Sequence, residues 1–542
     1  MVSVGEALLD QLGAHGVTVC FGVPGVHNLA FWTGAGVGGR PRVVSVRHEQ
    51  TAGYAADTCA RASGVLGVAL TTTGPGFANA LAAFGEAFAR FSPVLLISSE
   101  TPVAPRRTSG HDDGLLHGMR SQADAITHGF GARAVSTRTA EEALAALPGL
   151  AAHALATGRP VYLGVPADVL ASEWTGDVPG PVAVPRTAPD AATIEALARV
   201  LDGRRVAIWL GARAVPAESG VRRLAQRLGA LVVPTFQARG MLADHAGTVV
   251  APPHEPRVAE AIAACDVLLV VGDDLHGMTT RNWRMPVPST IVAITDDVDA
   301  SLGDYDLAVR AVGDVGLAVD ALLGALGTGE AVAAPDGEAL TRAVLAEIGA
   351  DGRTNTAATF VATIDDSWPV DGALVVDMCI AGYWLGGYSR QGRARRLQYP
   401  VGWGTLGFGL PAAAGPAALG IPTLAVVGDG GAAMGIGELA TYAQEGLPVT
   451  LLVVADGGYG MLRFDQTVAG HPHRGVDLVE PRWEELASAY GLRCARTDDP
   501  GAGLARAVAA AREALAVGEH TLIVLEQAFH PPRTTSPRWR EV

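Results

Sequence analysis

"AVVGDGGAAMG", residues 425–435, is predicted to be a buried strand that runs into a tight glycine turn and then into a helix. Such a turn commonly binds phosphate, because the N-terminus of a helix offers free backbone N–H groups and a partial positive charge. The central residue of this turn, however, is Asp429, and a carboxylate repels a phosphate placed directly against it. A cation between the two groups would remove this conflict.

A second carboxylate, Asp456, ends the next apolar strand in "LLVVADGGYG", residues 451–460. Open α/β sheets bind ligands at the carboxyl ends of their strands, so we expect Asp429 and Asp456 to lie at one sheet edge. Mg²⁺ takes one or two carboxylates and fills its remaining positions with phosphate oxygens and water. The pair therefore predicts a magnesium site that carries a phosphate. Two ordinary turn aspartates are the simpler alternative.

A dinucleotide site is the alternative from another class of protein. Gly428, Gly430 and Ala433 satisfy the G-x-G-x-x-G/A pattern after a strand and before a helix, which would suit a dinucleotide-dependent oxidoreductase. In that motif the pyrophosphate rests on the helix N-terminus without a metal, so Asp429 would face a like charge. This repulsion disfavours the dinucleotide interpretation.

Composition narrows the function further. The 542 residues carry a formal net charge of -15, which argues against a nucleic-acid-binding protein and favours small-molecule partners. All 40 basic residues are arginine, so no lysine is present to form a Schiff base with pyridoxal phosphate or to complete a Walker-type loop. Two large classes of enzyme are thereby excluded.

Targeting features point to a cytoplasmic protein. The five cysteines are scattered and form no C-x-x-C pair, so neither a disulfide framework nor a zinc site is expected. The N-terminus lacks the basic region of a signal peptide. The uncharged run at 401–428 contains too many glycines and prolines for a membrane-spanning helix.

Apolar strands alternate with alanine-rich helices along the whole chain, which predicts an α/β fold of three doubly wound parallel-sheet domains. Proline- and glycine-rich linkers at 176–191 and 327–339 separate them. We place the domains at 1–172, 190–328 and 345–542.

The motifs together resemble those of the thiamine-diphosphate-dependent enzyme superfamily, which includes acetolactate synthase, pyruvate decarboxylase, benzoylformate decarboxylase, benzaldehyde lyase and ketoarginine decarboxylase. The resemblance covers essentially the whole chain in order. It rests on GDG at 428–430, Asp456 with the GGYG that follows it, and these further stretches: "FGVPGVHNL" (21–29), "RHEQTAGYAAD" (47–57), "TTTGPGFANAL" (71–81) and "GTLGFGLPAAAG" (404–415). It implies pyrimidine-binding, central and diphosphate-binding domains in that order.

The resemblance implies thiamine diphosphate and Mg²⁺ as cofactors. The metal ligands would be Asp429, the side chain of Asp456 and the backbone carbonyl of Gly458. The residues implied to contact the cofactor itself are Gly404, Leu406, Gly430, Gly431, Met434 and Tyr459. Leu406 would support its bent shape, and the Gly404 carbonyl would accept a hydrogen bond from its amino group.

This chain departs from the family at the cofactor site. Asp456 replaces the usual asparagine, and Ile380 and Ala381 stand where acetolactate synthases have Gln and His that touch the diphosphate. Backbone groups or nearby hydroxyls would have to replace those two side chains. Acetolactate synthases also bind FAD in their central domain, and the sequence here carries no fingerprint that requires it.

Three residues are implied to be catalytic. Glu49 would hydrogen-bond the aminopyrimidine ring of the cofactor. His27 occupies a position where benzaldehyde lyase and ketoarginine decarboxylases have a histidine. His117 lies in the loop where acetolactate synthases have glutamine, with His111, Asp112 and Asp113 as solvated neighbours that could meet a cationic substrate tail.

The expected reaction is decarboxylation of a 2-oxo acid, with carboligation to an aldehyde or oxo acid acceptor as a further possibility. Acetolactate synthase is the alternative within the superfamily. Because Glu49 and Asp429 belong to different domains, and such sites lie between chains in the family, we expect a homodimer or homotetramer.

Overall fold

The structure is a computed structural model that describes residues 2–103, 117–184, 186–297, 302–327 and 330–535. Three separate sheets of five or six strands, all of them parallel, follow one another along the chain. This confirms the predicted α/β fold of three parallel-sheet domains. His111, Asp112 and Asp113 lie outside the described residues.

The N-terminal sheet has the order β3-β2-β4-β5-β7-β6. β6 is only three residues long and lacks the apolar run that the other five strands of this sheet have. Short strands β1 and β8 form a separate antiparallel pair. The strands are β1 Val2–Ser3, β2 Val19–Gly22, β3 Arg42–Ser45, β4 Gly67–Thr71, β5 Val94–Glu100, β6 Ala134–Ser136, β7 Val161–Pro166 and β8 Glu173–Trp174.

The helices of this domain cover both faces of the sheet, so strands β4, β5 and β7 are buried along their whole length. The second of the long helices begins at Glu49, because His48 is extended and its side chain caps the backbone N–H of Gln50. The helices are Val4–Ala14, Ala30–Gly34, Glu49–Ser63, Pro75–Ala89, Gln122–Phe130, Ala140–Thr157 and Ala167–Ala171.

The central sheet has five strands in the order β10-β9-β11-β12-β13. They are β9 Val206–Leu210, β10 Leu231–Pro234, β11 Val267–Val271, β12 Ile291–Thr295 and β13 Val309–Val312. The associated helices are Ala191–Leu201, Glu218–Leu228, Pro256–Ala263 and Val315–Ala325, with 3₁₀ turns at Ala212–Ala217 and Phe236–Ala238.

The C-terminal sheet has the order β15-β14-β16-β17-β19-β18, which repeats the order of the N-terminal sheet strand for strand. Its strands are β14 Ala373–Val376, β15 Leu397–Gln398, β16 Thr423–Gly428, β17 Val449–Ala455, β18 Arg493–Thr497 and β19 Thr521–Glu526. The helices are Gly337–Ala350, Asn355–Ser367, Ile380–Tyr388, Gly409–Ala412, Ala414–Ala418, Asp429–Gly435, Leu439–Glu445, Gly460–Val468, Trp483–Ala489 and Ala502–Ala516, with a 3₁₀ turn at Ile436–Glu438.

The N-terminal and C-terminal domains pack through the helix Glu49–Ser63. Thr58 donates a hydrogen bond to the Ala412 carbonyl at 2.6 Å. A Cβ atom at Gly415 would lie 2.4 Å from the Ala55 carbonyl, so only glycine permits this approach. The contact fixes the helix that carries Glu49 against the domain that carries Asp429.

Two further features bear on the sequence predictions. All five cysteines are free thiols in the described structure. Within the described ranges, no helix is long and apolar enough to cross a membrane.

Candidate active site

Three carboxylates follow neighbouring strands of the C-terminal sheet. Asp377, Asp429 and Asp456 come directly after β14, β16 and β17, respectively, and the three strands are adjacent and parallel. Their carboxyl ends therefore meet at one edge of the sheet, as expected for a ligand site in this kind of fold. The structure thus brings together Asp429 and Asp456, which the sequence had predicted to lie side by side.

Asp429 is buried, with 4% of its surface exposed. Its Oδ1 accepts a hydrogen bond from the Gly430 N–H, and its Oδ2 accepts one from the Gly457 N–H, both at 2.8 Å. Burial raises the pKa of this carboxyl, while the hydrogen bonds from backbone N–H groups act in the opposite direction. The two bonds hold the carboxylate between the turn after β16 and the turn after β17.

Asp456 carries a buried oxygen, Oδ1, that has no hydrogen-bond partner among the described residues. Burial, together with the nearby charge of Asp429, raises the pKa of Asp456 to about 6. A Cβ atom at Gly460 would lie 1.9 Å from the Asp456 Oδ2, so a residue with a side chain at position 460 would collide with this carboxylate. Two close carboxylates with an unsatisfied oxygen are the environment that a divalent cation would stabilise.

The two carboxylates and the neighbouring backbone oxygens are donors of the kind that Mg²⁺ uses. Across the described part of the chain, no three His, Cys, Asp or Glu side chains converge as a metal cluster. A metal held by two carboxylates here would therefore take its other ligands from backbone carbonyls, a bound molecule or water. The Gly458 carbonyl, which accepts one hydrogen bond from Gly460 at 3.1 Å, keeps a second lone pair for such a role.

A cavity of about 120 Å³ opens beside Asp456, and its described lining residues all lie between Asp377 and Phe529. Leu406 lines this cavity while 45% of its surface is exposed. Met434, which is 53% exposed, packs against the neighbouring Gly407. Leu406 thus presents an apolar side chain to a cavity that is lined mostly by apolar surface.

Four of the six predicted cofactor residues line this cavity, namely Leu406, Gly430, Gly431 and Tyr459, whereas Gly404 and Met434 are not part of its lining. Gly404 has a φ of 80°, which lets the loop before Leu406 turn sharply. A Cβ atom at Gly430 would lie 2.6 Å from the Tyr459 ring, and one at Gly431 would lie 2.6 Å from the Asp377 carboxylate. The glycines of the turn are therefore required by close neighbours on both sides.

Asp377 is a site residue that sequence reasoning missed. It is 1% exposed, its Oδ1 accepts hydrogen bonds from the Met378 and Phe408 N–H groups at 2.7 and 3.4 Å, and its Oδ2 has no partner within the described ranges. These bonds tie the loop that carries Leu406 to the end of β14. Asp377 could have been found from the sequence, because it directly follows a predicted apolar strand, as Asp429 does.

Replacement of Asp377 by asparagine is expected to alter the pH dependence of stability in the cofactor-free protein. Burial raises the pKa of Asp377 from 3.8 to about 6, so its contribution to stability is complete below about pH 4 and is lost as the pH rises through about 6. Between about pH 4 and pH 8 the wild type should lose about 2–3 kcal/mol of unfolding free energy that Asp377→Asn retains. Urea unfolding at both pH values measures this, and a variant that differs from the wild type equally at both would contradict it.

Glu49 lies at the corresponding edge of the N-terminal sheet, after β3. Its Oε2 accepts a hydrogen bond from Asn79 Nδ2 at 3.0 Å. A Cβ atom at Gly76 would lie 3.1 Å from Glu49 Oε1, so the backbone of the next helix passes close to the carboxylate. Asn79 is thus a second residue, not predicted from the sequence, that fixes the position of Glu49.

The structure also brings His27 and His117 together, with ring centroids 5.9 Å apart in an edge-to-face arrangement. Asn28, fully buried, holds the turn before His27 by accepting a hydrogen bond from the Gly25 N–H at 2.7 Å. His117 has a φ of 61°, a strained conformation for a residue with a side chain. Such strain recurs at functional positions, where the surrounding structure holds it in place.

Ile380 and Ala381, which replace the expected polar pair, are buried and line the cavity with their helix. A second, larger cavity of about 690 Å³ is lined by residues of the N-terminal, central and C-terminal domains. Arg213 lines it and pairs with Asp296.

Comparison with known proteins identifies the family. The chain matches family models for the N-terminal TPP binding domain of thiamine pyrophosphate enzymes at residues 2–127, the central domain at 194–322 and the C-terminal TPP binding domain at 377–525. A protein from Pseudomonas aeruginosa that is named a probable 2-ketoarginine decarboxylase is 33% identical over 524 residues, which cover 92% of this chain and 90% of that protein.

Two further similarities agree with this. An acetolactate synthase from Mycobacterium bovis is 28% identical over 531 residues, which cover 91% of this chain and 84% of that protein. The X-ray structure of a protein described as a thiamin diphosphate-dependent enzyme from Mycobacterium smegmatis shares the fold, with a TM-score of 0.77 at 22% identity over 97% of this chain and 99% of that one. With all three domains matched and a relative at 33% identity over nearly its whole length, this chain belongs to the thiamine pyrophosphate enzyme family.

Proposed function

We propose that this enzyme decarboxylates a 2-oxo acid with thiamine diphosphate and Mg²⁺. The proposal rests on two carboxylates at neighbouring strand ends, the buried Asp429 and the half-buried Asp456, whose Oδ1 has no hydrogen-bond partner among the described residues and which lies beside a cavity. In a thiamine pyrophosphate enzyme this pair is suited to bind the metal that links the protein to the diphosphate. The 33% identity to a protein named for 2-ketoarginine decarboxylation supports a 2-oxo acid substrate.

The proposed ligands of Mg²⁺ are Asp429, Asp456 and the Gly458 carbonyl. The diphosphate would complete the metal shell, which answers why a carboxylate stands in a phosphate-binding turn. Bound thiamine diphosphate supplies the stabilisation of the negative charge that remains when CO₂ departs. Leu406, exposed at the cavity rim, would pack against the cofactor.

Glu49 is the proposed partner of the cofactor's aminopyrimidine ring, and Asn79 orients it through the hydrogen bond to Oε2. A carboxyl group that holds a proton at a ring nitrogen acts as a general acid–base group. His27 and His117 are close enough to act together on one substrate oxygen, because their rings are in contact. We propose that this pair exchanges protons with the bound substrate.

Replacement of His27 by alanine is expected to lower kcat/KM by about 10²-fold to 10⁴-fold, because a positioned general acid–base group contributes that much. The affinity for thiamine diphosphate should stay within a few-fold of the wild type, because His27 is not among the residues proposed to contact the cofactor or the metal. Steady-state kinetics with a cofactor titration separates the two effects. His128→Ala, an exposed histidine of the same domain that bonds the Asp124 carbonyl, is the control; an equal loss in both variants would contradict the assignment.

We propose that the complete site forms between two chains of a homodimer or homotetramer. The proposed domains of each chain are 1–172, 190–328 and 345–542. Exposed apolar side chains near His27 and near the cavity beside Asp456 support a site between chains. Val26 is 86% exposed and Leu29 50% exposed beside His27, and Leu462 is 49% exposed beside the cavity. Co-expression of Glu49→Gln with Asp429→Ala tests it. If the sites lie between chains, each mixed dimer has one intact site, so random pairing of the two variants restores about a quarter of all sites. If each site lies within one chain, no site is restored.

The reaction itself is tested by measuring CO₂ release from a panel of 2-oxo acids, including guanidino acids and pyruvate, with thiamine diphosphate and Mg²⁺. Release of CO₂ and the matching aldehyde supports decarboxylation. Acetolactate formation from pyruvate would instead support the second candidate, to which the identity with acetolactate synthases points. Carboligation is tested in the same assay by adding an acceptor aldehyde.

A further inference from the structure

The C-terminal segment 527–535 forms one wall of the cavity beside the carboxylate pair. Gln527 and Phe529 line this cavity together with Asp456 and Leu406. Phe529 is 6% exposed, and its ring centroid lies 4.9 Å from that of Phe360. The segment follows β19, and its described residues form no helix or strand of their own.

An ion pair outside the cavity fastens this segment. Arg533 Nε donates to Glu255 Oε1 at 2.6 Å, and the Arg533 guanidinium also reaches Glu347 at 3.0 Å. Glu255 is completely buried at the start of a central-domain helix, and its other oxygen accepts a hydrogen bond from the Tyr388 hydroxyl at 2.7 Å. The C-terminal segment is therefore bound to the central domain through a buried carboxylate.

Two backbone contacts add to the ion pair. Trp384 Nε1 donates to the His530 carbonyl at 2.8 Å, and His254 Nε2 lies 3.0 Å from the Thr534 carbonyl. Trp384 and Tyr388 belong to the helix Ile380–Tyr388, whose first residues line the same cavity. The segment, this helix and the central domain thus form one connected wall.

We propose that Arg533 is a positioning residue for the cofactor site, which acts by holding Phe529 and its neighbours against the cavity through Glu255. This inference rests on the proposed function, because it takes thiamine diphosphate with Mg²⁺ as the occupant of the cavity. Without Arg533, Tyr388 is the one hydrogen-bond partner left to the buried Glu255 carboxylate among the described residues. A buried charge that loses its counter-charge forces local rearrangement. The binding of the cofactor must then also order the segment, which lowers affinity.

The test is the affinity of the full-length protein for thiamine diphosphate at saturating Mg²⁺. Arg533→Met should raise the Kd about tenfold, which corresponds to about 1.4 kcal/mol. Arg493→Met is the matched control, because Arg493 pairs with Glu519, whose side chain is 47% exposed, whereas the Glu255 side chain that pairs with Arg533 is 0% exposed. The control should leave the Kd unchanged.

A double-mutant cycle distinguishes positioning from general stabilisation. Phe529→Ala removes the ring that lines the cavity and leaves the Arg533–Glu255 ion pair in place. It should weaken cofactor binding about as much as Arg533→Met does. If Arg533 acts through the segment, the double variant Arg533→Met with Phe529→Ala should bind no more weakly than the weaker single variant. Additive losses in Kd would overturn the proposal, as would a lowered melting temperature with an unchanged Kd.

Glu255→Gln provides the second variant if Arg533→Met does not fold, because it keeps the shape and the hydrogen bond with Tyr388; it should raise the Kd like Arg533→Met. Amide hydrogen exchange of 527–535 in the wild type should slow when the cofactor and Mg²⁺ are added, since coupling between two sites is reciprocal. Unchanged exchange in a protein that binds the cofactor would overturn this inference alone. A wild type that binds no thiamine diphosphate would instead overturn the proposed function.

Discussion

Replacement of Asp429 by alanine abolishes magnesium-dependent binding of thiamine diphosphate in our account, with an expected loss of affinity of at least about 100-fold. Asp429 is the only carboxylate of the turn after β16, and both of its oxygens are fixed by backbone N–H groups from two different turns. Removing a positioned ligand costs at least as much as removing its supporting partners, which typically costs 10–100-fold in metal affinity. The effect should appear in the cofactor titration before any activity is measured.

The control for Asp429→Ala is Asp465→Ala, an aspartate of the following helix Gly460–Val468 rather than of a strand end. It should bind the cofactor like the wild type. Asp429→Ala should also keep the wild-type circular dichroism spectrum, because the glycine turn around it is held by packing against Tyr459 and Asp377. Wild-type cofactor affinity in folded Asp429→Ala would show that this carboxylate has no metal to bind.

The second large effect is expected for Glu49→Gln, which should lower kcat by about 10²-fold to 10⁴-fold while cofactor affinity changes by only a few-fold. Glutamine preserves the size of the side chain and its contact with Asn79, but it cannot carry the proton that a general acid–base group must exchange. The separation of kcat from Kd is the informative result, because it assigns Glu49 to the chemistry and Asp429 to binding.

Glu141→Gln is the matched control for Glu49→Gln, since Glu141 also lies in the first turn of an N-terminal-domain helix but is exposed. Its kinetics should equal those of the wild type. Turnover that is retained in Glu49→Gln would contradict the proposed role of this carboxyl. Cofactor binding that is lost in the same variant would place Glu49 in the binding site instead.

Much of the fold could be predicted from the sequence because parallel strands buried on both faces leave long apolar runs. β4, β5, β16 and β17 are examples. The strand order could not be predicted this way, since it depends on how helices cross between strands that are distant in the chain. The structure shows that the N-terminal and C-terminal sheets share the same strand order, so the two domains have the same topology.

The site was partly predictable for the same physical reason. Asp429 and Asp456 directly follow predicted strands, so the geometry of a parallel sheet alone places them together. Contacts between distant segments could not be predicted: His27 meets His117 only because their loops leave the same sheet edge, and Arg533 reaches Glu255 across 278 positions of sequence. The roles of the individual site residues remain predictions that the variants above test.

A titration of the cofactor-free protein with thiamine diphosphate, in Mg²⁺ and in EDTA, followed by thermal unfolding, tests whether Asp429 and Asp456 hold a metal that binds the diphosphate. We predict a stabilisation of a few kcal/mol when ligand greatly exceeds its Kd, present with Mg²⁺ and absent with EDTA. No stabilisation, or the same stabilisation in both conditions, would contradict the assignment of Asp429 and Asp456 as the ligands of a metal that binds the diphosphate.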